Sequence, residues 1–341
     1  MPVDGGIDDT LTAFRDLCTP AAPWLAVSAR RARRLGIESG TGALLEITDA
    51  DNADTVWSLA AQMDAKRGAR RWKPAGRAAG VAMNLAKLAQ RVPALLVADA
   101  ADAKAAALDP RLIEMHGDAF AAFRQSLIDS VTLTGVANVP LRDGVSSKFH
   151  VFRDSSGGSP TAIVIGEPDF ARPVPVRLHS ACLTGDVFGS RRCDCGAQLQ
   201  LAITRLADAG GGIILYLEQE GRGLGLANKM RAYALQDAGL DTVDANTALG
   251  FDDDERDYGV AARMLALLGA HRVLLMTNNP DKLEGLTSEG VDIVGRVPVY
   301  TPINADNRRY LTAKAARAGH WLDAALEQTD ERETAAGGKG R

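Results

Sequence analysis

The chain is short of several things, and each shortage closes off a class of function. Cysteine is scarce, four in 341 residues, and three of the four crowd into one stretch. That is no disulfide framework, so a reducing compartment is expected. No apolar run approaches the roughly 20 residues that cross a bilayer, and the opening MPVDGGIDDT has no basic region leading into an apolar one. The expected location is the cytoplasm, with no membrane partner. Positive charge is not in excess either: the net charge of −4 argues against a general polyanion binder and makes nucleic acid an unexpected partner. Residues 66–77, KRGARRWKPAGR, are a local exception with six basic residues around Trp72, read as a solvated basic loop before a nucleic-acid or phosphate contact. The first third also lacks a phosphate loop, a His/Cys cluster and a defensible carboxylate pair. What is present is ordinary: 46% hydrophobic and 24% charged residues, in a length that suits two domains with a core each.

Periodicity predicts alternating elements in that first third: helices over 9–17, from about 53 and over 79–90, and strands near 24–28, 43–47 and 94–98. Further short apolar bursts fall at 151–153, 162–165, 174–178, 213–217 and 273–276. The fold class expected is α/β (α+β). Its boundaries are read as an N-terminal domain over 1–130, a catalytic domain over 131–326 entered through a linker at 131–159, and a disordered tail over 327–341.

The chemistry concentrates in residues 177–198, RLHSACLTGDVFGSRRCDCGAQ, where Cys182, Cys193 and Cys195 are spaced C-x10-C-x-C. A Cys-x-Cys pair with a third thiolate returning from a loop suits Zn²⁺, and with no fourth cysteine nearby an open position is left for water, the catalytic pattern. A structural site closed by His179, or three unrelated buried thiols, are the other readings of these residues. Downstream, the apolar strand at 213–217 delivers EQEGRGLGL, where Glu220, Gly221 and Arg222 precede a helix. Glycines admit backbone N–H groups to an anion, and an arginine can fork onto phosphate oxygens, so this reads as a triphosphate cradle. Taken alone it is also an ordinary strand-to-helix turn. Leu226, Met230 and Tyr233 share one helical face, which by periodicity is core packing. The run 252–257, DDDERD, reads as an acidic helix start, and Asn279-Pro280 as a capped one.

Taken in order, HSACLTGDVFGSRRCDCG, EQEGRGLGL, RAYALQD, DDERDYG and TNNPDK closely resemble the GTP cyclohydrolase II family of riboflavin biosynthesis, over roughly 136–322. The resemblance implies a zinc enzyme, with Cys182, Cys193 and Cys195 as ligands, that hydrolyses the guanine ring of GTP. Formate and pyrophosphate leave, and a diamino-pyrimidinone ribosylamino phosphate remains. It implies contacts to GTP from Arg177, Leu178, His179, Ser180, Ala181, Gln198, Glu220, Gly221, Arg222, Thr242, Thr277 and Lys282, Mg²⁺ on the phosphates, and a homodimer. Tyr233 is implied as an aid to hydrolysis at the purine, Asp254 as proton acceptor and Arg256 as nucleophile. A guanidinium stays protonated, its pKa above about 12, so a charge clamp is the cheaper role for Arg256, and both stay open.

In some relatives the N-terminal place holds dihydroxybutanone phosphate synthase, whose acidic and arginine-rich patterns are not visible here. The segment is more similar to the extension of other relatives, including a branch linked to uracil breakdown. Ala181 stands where the family motif HSECLTGD has glutamate, and Glu218 where an arginine commonly precedes QEGR. Those replacements leave two rivals, a diverged hydrolase of another nucleotide and a non-enzymatic nucleotide-binding regulator.

Overall fold

Apolar runs bounded by caps become elements almost where the pattern puts them. In this computed structural model, residues 1–6, 8–19, 21–99, 115–304, 306–322 and 326 are described; the tail expected over 327–341 lies outside them. The chain forms two units, one made of Met1–Phe123 with Leu224–Glu255, the other of Arg124–Gly223 with Arg256–Arg341.

The first unit is built on an antiparallel sheet of β1 (Trp24–Val27), β2 (Ala43–Glu46), β3 (Trp72–Pro74) and β4 (Ala94–Val97), in the order β3-β2-β1-β4. The helix Ala53–Ala61 starts at Asn52, whose side chain accepts from the Thr55 amide at 2.9 Å, an N-cap. Leu25, Val27, Leu45 and Ile47 form the core with Val56 and Leu59. That core is completed by Leu224, Ala232, Ala245, Leu249 and Phe251, from the segment Leu224–Glu255 that the sequence pattern assigns to the catalytic domain. Arg31, 1% exposed, joins the two segments. It donates to the carbonyls of Ser58, Leu59, Gln62 and Ala248 at 2.8–2.9 Å, the C-terminal ends of two helices, where a cation complements the helix dipole. Burial lowers its pKa to about 10.

The second unit carries a seven-stranded mixed sheet. Its strands are β5 (Thr132–Asn138), β6 (Ser147–Arg153), β7 (Thr161–Gly166), β8 (Val174–Ser180), β9 (Gly211–Leu217), β10 (Arg272–Met276) and β11 (Asp292–Val297), in the order β11-β10-β8-β9-β7-β6-β5. The stretch 131–159, expected as a linker, is instead the hairpin β5–β6, which continues the sheet antiparallel from β7. Its outer strand, TLTGVAN, is exposed along its whole length, and a strand that buries nothing has no apolar alternation to show.

β8, β9, β10 and β11 run parallel, and β9 is an unbroken apolar run because helices cover both of its faces. The helix Cys195–Asp208 lays Leu199, Ala202 and Leu206 on Ile165, Ile214 and Met276. On the other face Ala261, Met264, Leu265 and Leu286 meet Val174, Val176, Ile213 and Val273. β9 flanks β8 on one side and β10 on the other, so successive crossovers diverge there, and ligands of open α/β sheets bind at the carboxyl ends beside such a switch.

Candidate metal centre and active site

Three strands end at that edge, and each hands over to one of the sequence motifs. β8 ends at Ser180, beside Leu217 at the end of β9, and Ala181 donates its amide to Leu217 O at 2.8 Å. The chain then turns through Leu183–Val187, one turn of π-helix, and returns to start the helix Cys195–Asp208. This brings the sulfurs of Cys182, Cys193 and Cys195 within 4.8 Å of one another, with Cys182 Sγ and Cys193 Sγ 3.7 Å apart. A side chain at Gly185 would put its Cβ 2.9 Å from Cys193 Sγ and 3.1 Å from Cys182 Sγ, and one at Gly196 would meet Gly185 O at 2.3 Å. Only glycine lets the turn and the helix close on the sulfurs.

The donor set fits a thiophilic cation. Shared hydrogen bonds with Cys182 and Cys193, then burial, push the Cys195 thiol well up, and the bond to Cys182 foremost raises Cys193. Three such thiolates need a positive ion between them. His179 is not in the cluster. Its Nε2 faces both oxygens of Asp186 at 3.0 Å, and the same carboxylate accepts from Tyr216 Oη at 3.0 Å and from the Cys182 amide at 2.9 Å. Burial first, opposed by Asp186, holds the His179 pKa below its ordinary value, so the ring is neutral and donates through Nε2. Asp194, between two of the cysteines, is buried against Lys314 at 3.0 Å and accepts from Gln198. Burial pushes that carboxyl up, but Lys314 and its other bonds bring it below the usual range.

Several residues tied to GTP by resemblance hold the scaffold here. Arg177, 5% exposed, donates to Met276 O at 2.9 Å and to Gln198 Oε1, linking the ends of β8 and β10. Lys282 Nζ donates to Leu178 O at 2.8 Å, and Thr277 Oγ1 accepts the Asn279 amide at 3.0 Å. Glu220 accepts the Leu183 amide at 2.7 Å, bracing the cysteine turn. Ser180 Oγ reaches Gln219 Oε1 at 3.4 Å. The glycine loop winds through positive φ at Gly221, Arg222, Gly223 and Gly225. Arg222 is the unusual one, since a side chain held left-handed stores strain of the kind found at ligand loops. Of the two departures, Glu218 is exposed and accepts from the Ser159 amide at 3.3 Å.

Positive charge collects at the same end. Burial first, and then Lys314, Arg222, Arg256 and Lys282, hold His320 down to about 2, and Arg256 also bears on Arg177. The atoms Arg177 Nε, His179 Nδ1 and His320 Nε2 are buried without a hydrogen-bond partner among the described residues, and such unspent capacity in a buried site calls for a bound group. Tyr233, Thr242 and Asp254 belong to the first unit. There Leu226 and Met230 are exposed, and the helix Leu226–Asp237 buries Asn228, Lys229 and Ala232 instead. The periodic stripe is therefore not core; the neighbouring face is buried instead, where Asn228 satisfies its amide on Gln90 O and Leu224 O. Asp186 and Asp194 lie in the cysteine motif, and their roles follow from the contacts of the fold rather than from residue type or spacing. Lys314 and His320 had no local signal: Lys314 meets Asp194 across 120 residues of chain, and the cations around His320 come from three other motifs besides.

The family model of GTP cyclohydrolase II matches residues 133–298. A protein of Azospirillum brasilense named GTP cyclohydrolase-2 is 43% identical over 316 residues, 89% of this chain and 82% of that one. A Xylella fastidiosa protein of the same name is 40% identical over 335 residues, 97% of this chain and 83% of its own. An Azotobacter vinelandii protein, also named GTP cyclohydrolase-2, is 47% identical over 193 residues, which are 93% of it but 57% of this chain. Relatives of one name thus come with and without a counterpart to the remainder of this chain. With the motifs in order, the sulfur cluster at a strand end and near full-length likeness to two such proteins, this chain belongs to the GTP cyclohydrolase II family.

Proposed function

We propose that this chain is a GTP cyclohydrolase II that opens the guanine ring of GTP. Formate and pyrophosphate are released, and 2,5-diamino-6-(5-phosphoribosylamino)pyrimidin-4(3H)-one is left. The observation that carries the reading is the pairing, at one end of one sheet, of a three-sulfur cluster with a collection of cations around His320. A base to be hydrolysed and a polyanionic tail need those two things side by side. Cys182, Cys193 and Cys195 are the residues to hold Zn²⁺, whose chemistry when bound is Lewis-acid activation of water near neutral pH.

The chain's own groups do the rest. Asp186 orients the Cys182 amide and the His179 ring together, which keeps the sulfur turn in place. Arg222, Arg256, Lys282 and Lys314 form the positive field for the triphosphate, which arrives with its Mg²⁺ as substrate, and a fixed field of this kind stabilises a departing pyrophosphate. Arg256 serves there as a protonated clamp. Neutral His320 offers a hydrogen bond to a phosphate oxygen without needing to be charged. Tyr233 and Asp254 are assigned to proton handling at the purine.

The test is incubation of the zinc-loaded protein with GTP and Mg²⁺, following formate, pyrophosphate and the ring-opened pyrimidine separately, beside Cys193→Ser. All three products should appear with wild type, and the variant should lose zinc and formate release together. Full formate release from the metal-free variant would remove the sulfur cluster from the mechanism. No product from wild type would turn the search to other nucleotides.

A further inference from the structure

Asp254 and Arg256 sit in a run of six consecutive charged residues, 252–257, which left to itself would spread by mutual repulsion and sample many conformations. Two of its carboxylates meet one lysine. Lys87, in the last turn of the helix Arg77–Leu88, places Nζ 2.9 Å from Asp252 Oδ2 and 2.7 Å from Glu255 Oε1. Lys87 and Glu255 are both about five-sixths covered, with side-chain exposures of 16% and 15%, so this is not a solvated surface pair. Arg30, in the helix Ala29–Arg34, takes the other oxygen of Asp252 at 2.9 Å, and Glu255 Oε1 also accepts the Asp252 amide at 2.7 Å. Just upstream Ser28 Oγ donates to Gly250 O at 2.6 Å and Arg31 to Ala248 O. Four residues of the first hundred therefore grip the chain from Ala248 to Glu255, all within the first unit. At the following residue the chain enters the second unit, where Asp257 O accepts from Gln219 Nε2.

We infer that Lys87, seconded by Arg30, is a positioning residue for the loop that bears Asp254 and Arg256, and that bracing this loop is what the N-terminal region contributes to the reaction. This rests on the reading of Asp254 and Arg256 as groups of the reaction. Lys87 neutralises and bridges two carboxylates three residues apart. Without it they repel, and Asp252 keeps only the more exposed Arg30. The loop then widens, and misplacement by an ångström costs about a hundredfold in rate.

The experiment uses the full zinc-loaded chain and compares wild type with Lys87→Met, Lys87→Arg and Asp252→Asn. A control, Arg91→Gln, breaks an ion pair to Asp4 in the same unit away from the loop. Lys87→Met is expected to lower kcat about tenfold to a hundredfold while KM and zinc content change little; removing one partner of a largely buried pair also lowers the melting temperature, so the rates are compared well below it. Lys87→Arg should recover most of the rate, since it restores the charge, and Arg91→Gln should keep it. Asp252→Asn gives the same split if Lys87→Met does not fold. Lys87→Met with wild-type kcat, or Arg91→Gln losing as much as Lys87→Met, overturns the inference while the proposed activity stands. If wild type itself fails to turn GTP over, it is the activity that fails. Amide hydrogen exchange over 251–257 then decides the brace: faster exchange in Lys87→Met sustains it, and unchanged exchange refutes it.

Discussion

Asp51 explains why the basic stretch 66–77 is not simply a solvated loop. Arg70 forks onto both oxygens of Asp51, which also accepts the Thr48 amide and hydroxyl at 2.8 and 2.9 Å. Arg71 reaches Glu46, and Lys73 lies 4.5 Å over the Trp24 ring, so three of the six basic side chains are spent on the first sheet. Burial pushes the Asp51 carboxyl up, but Arg70 and Thr48 outweigh it and hold it below the ordinary value. A carboxyl with a lowered folded pKa stabilises the fold above its unfolded pKa, near pH 4, and loses that contribution as pH falls through the folded value. Asp51→Asn should therefore cost about 1–3 kcal/mol at pH 7. The gap to wild type should close as pH drops below about 4. Urea unfolding of both proteins across that range measures it, and a gap that stays constant down to pH 2.5 would remove the ion pair from the account.

At the scale of elements, the close approach of Gly196 to Gly185 O decides whether the three sulfurs meet. Gly196→Ala should leave the helix Cys195–Asp208 formed, with unchanged circular dichroism. Zinc affinity measured against a chelator should fall by about tenfold or more, as for other changes around metal ligands; equal affinity would show that the turn can yield. Elements like this helix were legible because one face is apolar at helical spacing, and β9 because a strand covered on both faces is a continuous apolar run. β5 was legible only as a short β-rich piece of a linker, since an edge strand with glycine and threonine that buries nothing does not show that it belongs to the sheet. The cysteines announced themselves by type and spacing. The partners of Asp194 did not, because Lys314 is an unremarkable member of a surface helix until the fold brings it across. The stripe of Leu226, Met230 and Tyr233 misled for the opposite reason: periodicity says that a face exists, not that it is buried.

For the whole molecule, the most consequential feature is that the first unit is discontinuous. Residues 1–123 alone would lack Leu224, Leu249 and Phe251, each at most 1% exposed, and burial of one such side chain contributes about 1.5–3 kcal/mol. Losing three approaches the whole stability of an ordinary domain, about 5–15 kcal/mol. A 1–123 fragment should accordingly show no cooperative unfolding transition, and a sharp calorimetric peak from it would contradict the assignment of Leu224–Glu255 to that core. The same interleaving has a consequence on the ribosome. Growing at about 5–20 residues per second, the chain must emit all of residues 124–223 before the pieces that close the first core exist. The part translated first is thus finished late, its apolar sheet face waiting through several seconds of synthesis while the strands of the other sheet emerge beside it.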